Sequence, residues 1–295
     1  MIVAQILFAM LLVGPIVWGV YNVFKYKGLP PAQGMVKRAT IINSAIFYAL
    51  AYNLIFFLQE LFLVLGKKAL GLKSFLYHNN HIYEGEHAMA LLMQGSGALA
   101  IFIIGLIALL IFRFISKSRS IWKLFVLWLA FHGLVQSLPQ VLFAALDPGT
   151  DVGEALVGYL NLGQTSLAVL AGVSGLLTAL MSIWISGPLL GFVSMDSDLS
   201  NPRVKLRYIL SIAVGGALLG SVLVVPFRIL PMSHAITPFL VFIFTIPWTW
   251  AAAPMSRPIA HTRNRINEKV FLAPAVLLVL LLIFFQLVLA PGVEF

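Results

Sequence analysis

Residues 89–115 read MALLMQGSGALAIFIIGLIALLIFRFI, with no charged residue between Met89 and Phe112. A bilayer core takes roughly 20 apolar residues of helix to cross. A barrel strand would need only about 10 residues in strict alternation, and this run is too long and too continuous for that. Within lipid each backbone donor must be satisfied by the segment itself, which leaves the helix as the open-ended solution.

Seven other runs share this character. Together the apolar segments are 2–24, 39–65, 89–115, 121–146, 165–194, 207–230, 236–254 and 272–290. The composition agrees: 61% of the 295 residues are hydrophobic and 10% are charged, whereas soluble domains run near 45–50% and about 25%. A soluble enzyme and a disordered chain are excluded. The expected fold is an all-α polytopic membrane helix bundle of about eight transmembrane helices, one domain over 1–295.

The net charge is +9. Its basic residues are scattered through short loops, so nucleic acid is not an expected partner, and the charges read as topology signals. Alternate loops hold Lys25, Lys27, Lys37 and Arg38, then Arg113, Lys117, Arg119 and Lys123, then Arg203, Lys205 and Arg207, then Arg257, Arg263, Arg265 and Lys269. The other loops hold Lys67, Lys68, Lys73 and Arg228. The positive-inside rule puts the richer set in the cytosol. Both termini and the 66–88 loop are then expected outside, across a cell inner (plasma) membrane. The first segment has its lysines after the apolar run, the reverse of a cleaved signal peptide, and reads as a retained helix. Asp196 and Glu268 fall on the cytosolic side. There is no cysteine, so disulfides and thiolate chemistry are absent.

Small residues predict close helix packing. Gly216 and Gly220 stand at GxxxG spacing, and Ser174, Thr178, Ser182 and Ser186 recur every four residues. Both read as packing of segments five to seven. Pro15, Pro139, Pro226 and Pro247 are expected to kink their helices.

Candidate chemistry gathers in segments two to four. The loop Tyr77-His78-Asn79-Asn80-His81-Ile82-Tyr83-Glu84-Gly85-Glu86-His87 carries three of the six histidines. A helical turn here would align His78, His81, Glu84 and His87, while Asn79, Asn80 and Gly85 favour a turn instead. Imidazole with carboxylate suits a divalent metal such as zinc, iron or copper. The expected ligands are His78, His81, His87, Glu84 and Glu86. Glu60 lies about 9 Å from the outer end of segment two, at 1.5 Å per residue. An ionisable group inside a span marks a functional site with a partner by default, and the histidine loop can fold onto it. His132, Gln136 and Gln140 form a stripe on segment four pointing the same way, with Gln94 and Ser96 close to it in prospect. Glu60 and His132 are the expected catalytic groups, and Gln136 and Gln140 the expected binding groups. Asp151 and Glu154 resemble a capping box opening a short helix over 152–162.

The chain has no HExxH, no GxSxG and no P-loop. Three readings stay open. One is a metal-dependent enzyme acting on a lipid-like substrate. The second is a proton-coupled transporter or channel using Glu60 and His132. The third is a non-catalytic or cofactor-scaffolding subunit with partners in a larger membrane complex.

Overall fold

The structure, a computed structural model, describes residues 2–30, 36–115, 120–193, 198–228, 232–259 and 269–295. Lys117, Arg119, Asp196, Arg263, Arg265 and Glu268 lie outside the described residues. Eight helices are long and apolar enough to cross a membrane: α1 Gln5–Lys25, α2 Arg38–Ala69, α3 Ala90–Phe114, α4 Ile121–Leu146, α5 Gln164–Leu190, α6 Pro202–Phe227, α7 Ile236–Met255 and α8 Leu272–Leu289. The chain is a multi-pass membrane protein by this measure.

Helix α3 shows why the apolar runs pack as they do. Gly97, Ala98, Ile101, Gly105, Ala108 and Phe112 are buried, while Leu99, Ile103, Leu106, Ile107 and Leu110 are exposed. Small residues turn inward and branched ones face outward. In lipid the hydrophobic effect does not drive helices together, so close backbone approach does. Gly133 of α4 meets Gly105 of α3 so tightly that a Cβ would lie 2.6 Å from the Gly105 Cα.

Helices α2 and α4 form the centre. Helix α2 packs on α6, α4 and α3, and α4 packs on α3 and α5. Helices α1 and α8 lie at the margin, each 22% buried along its most apolar window against 67% for α2 and α4. The glycine face of α6 meets α2: Cβ atoms at Gly216 and Gly220 would strike Ser44 and Tyr48. Helix α7 packs on both α5 and α6. The hydroxyls of α5 do serve packing. Thr178 and Ser182 donate to the carbonyls of Ser174 and Thr178 in their own helix, and Thr249 of α7 donates to the Ser182 carbonyl at 2.8 Å.

One end of the bundle gathers the basic loops. Arg203 donates to the Leu29 carbonyl at 2.7 Å, Lys205 to the Ser256 carbonyl at 2.8 Å, and Asn43 to the Lys269 carbonyl at 2.9 Å. Helix α6 starts at Pro202, with the Asn201 side chain accepting from the Arg203 N–H, so its basic residues belong to the first turns and not to a preceding loop.

The opposite end adds a small sheet to this mostly helical fold. A three-stranded antiparallel sheet forms there from β1 Lys73–Leu76, β2 His81–Glu84 and β3 Val293–Glu294, in the order β2-β1-β3. Ser74 and Leu76 are buried in alternation along β1, the period of a strand with one covered face. The turn Tyr77–Asn80, closed by Tyr77 N–H donating to the Asn80 carbonyl at 2.9 Å, replaces the helical turn proposed for the histidines. The Asx pair at its tip is the physical reason.

Candidate functional site

The hairpin is seated on the end of α2 by Lys67. This side chain is buried, donates to the Ala90 carbonyl at 2.5 Å, and lies over the Tyr83 ring at 4.2 Å. One residue thus ties α2, the hairpin and the start of α3 together. Helix α3 turns at Gln94–Gly95 before continuing, which presents Gln94 toward the hairpin. At the next turn Gly97 lets α3 cross α2 closely: a Cβ there would lie 2.7 Å from the Gln59 carbonyl.

These supports place His81, the first residue of β2, on Glu60. His81 Nδ1 is 2.9 Å from Glu60 Oε2, and Nε2 is 3.0 Å from Gln94 Oε1. Both ring nitrogens are thus engaged, and with oxygen at each contact the arrangement favours the doubly protonated ring. Burial disfavours that charge. The hydrogen bond and the negative charge of Glu60 outweigh it, and His81 titrates above the ordinary imidazole range.

Asp151 stands beside the pair. The expected capping box is corrected here: Thr150 is the cap, its hydroxyl accepting from the Gly153 N–H at 3.2 Å. The Asp151 carboxyl is therefore released from capping and faces the site. Burial pushes it up to about 6; His81 opposes that shift, Glu60 and Glu154 add to it, and Lys67 opposes it.

A cavity of about 500 Å³ opens over these groups, bordered by Glu60, His81, Asp151, Gln59, Gln140, Asn80 and Arg228. A second chamber of about 220 Å³ lies against it, with Tyr52, Gln136, Leu240, Val241 and Phe244 in its wall. Phe56, Gln59, Gln140, Phe143 and Thr237 border both. Gln140 Nε2 donates to Gln59 Oε1 at 2.9 Å and to the Gln136 carbonyl at 2.7 Å, so an amide pair marks the boundary between the polar and the apolar space. The stripe on α4 thus supplies Gln140 to both chambers and Gln136 to the inner one.

His132 is placed differently. It is fully buried and enclosed by the rings of Tyr48 at 4.3 Å, Tyr52 at 5.3 Å and Phe131 at 5.5 Å. Its Nδ1 lies 3.2 Å from Gln136 Nε2. It borders neither of the two chambers.

The five expected metal ligands are not gathered. Among the described residues no three His, Asp or Glu side chains could hold one ion. His81 has both nitrogens engaged, and Nδ1 of His87 accepts from the Met89 N–H at 3.1 Å at the start of α3. Glu86 is exposed, and Glu84 lies opposite Lys73 at the far end of the hairpin. His78 is buried at the turn. This donor set does not fit a divalent metal.

In the sequence Arg228 stands out only as a loop charge. Its guanidinium borders the outer cavity and stacks 3.7 Å from the Phe56 ring centre. The one signal in the sequence was its position, a lone cation closing an apolar segment on the side otherwise poor in basic residues.

Compared with protein-family models, curated proteins and solved structures, this chain matches none of them.

Proposed function

We propose that this chain is a membrane enzyme in which Glu60 and His81 carry out acid–base chemistry on a lipid-like substrate in the outer cavity. The supporting observation is the Glu60–His81 contact of 2.9 Å on the wall of a polar cavity adjoining an apolar chamber. In this reading an amphiphile places its polar part beside the pair and its apolar part in the inner space. Glu60, held by its contact with His81, accepts a proton from a substrate hydroxyl or a water. His81 holds that carboxylate in place, and the proton that Glu60 has taken passes on to the departing group. No metal takes part in this reading, since the donor set does not fit one.

The basic end of the bundle supports a plasma-membrane orientation with that end in the cytosol. The cavity and both termini then face outward.

The test incubates the full chain in vesicles of mixed polar lipids and follows the lipid profile by mass spectrometry. Wild type should convert one lipid class, and Glu60→Gln should lose about a hundredfold or more of that rate. Conversion that survives Glu60→Gln, or no conversion by wild type, ends this reading.

The amides from Gln59 to His132 favour a second reading, proton-coupled passage. Proton flux in liposomes that Glu60→Gln abolishes would support it, and unchanged flux would exclude Glu60 from it.

A further inference from the structure

The outer cavity holds a cation that the acid–base reading does not use. Arg228 lies at the end of α6 with one guanidinium face on Phe56. Its Nε and Nη2 are covered from solvent and make no hydrogen bond of good geometry; the Tyr52 side chain lies beside the guanidinium, and Glu60 acts on it by charge alone. Among the described residues no carboxylate lies within ion-pair distance of it. The two unsatisfied nitrogens share one edge of the guanidinium, the edge whose parallel N–H groups grip a carboxylate or phosphate in bidentate fashion. A half-buried cation with two covered nitrogens lacking acceptors is costly, and an anion beside it reduces that cost. Arginine is also better suited than lysine to this geometry, being planar and weakly hydrated.

The cavity beside Arg228 leads to the inner chamber past Gln59 and Gln140, and beyond them the wall becomes Leu240, Val241 and Phe244. Polar and apolar space therefore follow one another from Arg228 inward.

We propose that Arg228 seats the anionic head, a carboxylate or a phosphate, of an amphiphile whose tail enters the inner chamber. This rests on the lipid-like substrate of the preceding section and names its chemical class. The head then lies in the same cavity as Glu60 and His81, and the side chain of Arg228 turns toward the incoming oxygens.

The experiment uses the full chain in lipid nanodiscs with labelled dodecanoate, dodecyl phosphate and dodecanol, each corrected for uptake by empty nanodiscs. At least one anion should bind saturably, with dodecanol about tenfold weaker or worse. The tighter anion distinguishes a carboxylate from a phosphate head. Arg228→Gln should weaken that anion about tenfold or more and leave dodecanol unchanged. Equal binding of dodecanol, no saturable anion binding, or anion binding indifferent to Arg228→Gln each overturns the proposal. Should Arg228→Gln fail to fold, Val241→Trp decides, since it fills the inner chamber: lost binding of the twelve-carbon anion supports the proposal, and unchanged binding overturns it. Glu60→Gln separates the two claims. It should bind the anion at least as tightly as wild type, since a negative charge leaves the cavity, and lose turnover, so a failure of catalysis and a failure of recognition are read independently.

Discussion

Two regions of this molecule bury polar side chains, and they do it in opposite ways. On α5 and α7, Thr178, Ser182 and Thr249 donate to helix carbonyls at 2.8 Å each. Every partner is backbone, either the same helix or the next. At the hairpin end, Glu60, His81, Gln94, Gln59 and Gln140 find one another as side chains, from four separate elements. A hydroxyl can satisfy itself one turn back and needs no neighbour. A carboxylate finds no donor one turn back, so Glu60 is accommodated where the fold brings a distant partner. Polar residues on an apolar helix therefore mark packing in the first region and a site in the second.

The contrast is broken most sharply at Glu60. Removing one partner of a buried pair leaves the other charge uncompensated, at a cost of about 3–5 kcal/mol. Glu60→Ala should lose that much in unfolding from mixed micelles. Glu60→Ala and His81→Ala together should cost about 1–3 kcal/mol less than the sum of the two single changes. Additive losses would show that Glu60 and His81 do not pair.

The next effect concerns the crossing that positions the pair. Gly97→Val should destabilise by about 1–3 kcal/mol, the cost of overpacking, because the Gln59 carbonyl stands 2.7 Å from the new Cβ. The same change at Gly28, which has nothing within 4 Å, should stay within about 0.5 kcal/mol. Similar losses at the two sites would contradict the close approach.

The pair should also set a pH dependence whose sign is fixed. His81 titrates higher in the fold than in the unfolded chain, so its contribution is complete below its unfolded value near 6.5 and fades as pH rises through the folded one. Asp151 titrates at about 6 against 3.8 unfolded. Between those values the fold retains a proton that the unfolded chain has lost, and stability again falls as pH rises. The groups acting on Asp151 are His81, Glu60, Glu154 and Lys67, with Arg228 across the cavity. The melting temperature should therefore fall from about pH 4 upward, and Asp151→Asn should flatten the part below about pH 6. A melting temperature that rises over this range in wild type would refute the assignment.

The sequence displayed one half of this contrast far better than the other. The eight helices were legible because lipid imposes a length and forbids charge, and each run such as 89–115 carries that signal alone. Glu60 was legible for the same reason, as a charge in a forbidden place. The fold of the 77–87 loop was not. Outside lipid no length rule applies, and histidine spacing read as a helix is equally a strand meeting α2. His81 pairs with Glu60 because of Lys67, Tyr83 and the turn at Gln94, which lie in separate parts of the chain. His78, His87, Glu84 and Glu86 looked like His81 in sequence and differ from it in placement alone. Arg228 and Asp151 were hidden by simpler roles, topology and capping. Only coordinates show that Thr150 had taken the cap.

The smallest expected effect lies in the hydroxyl region and is as diagnostic as the largest. Ser182→Ala removes a donor whose acceptor is the Thr178 carbonyl, and that carbonyl lies within a helix where the backbone ladder already engages it. No buried group is orphaned, so the loss should stay near 0.6 kcal/mol or below, the usual worth of a polar contact between membrane helices. Thr249→Val should cost slightly more, because its bond crosses from α7 to α5. The check is the same micellar unfolding. A loss above about 2 kcal/mol at Ser182 would place these hydroxyls in a cooperative network, and the division between packing and site polarity would no longer hold.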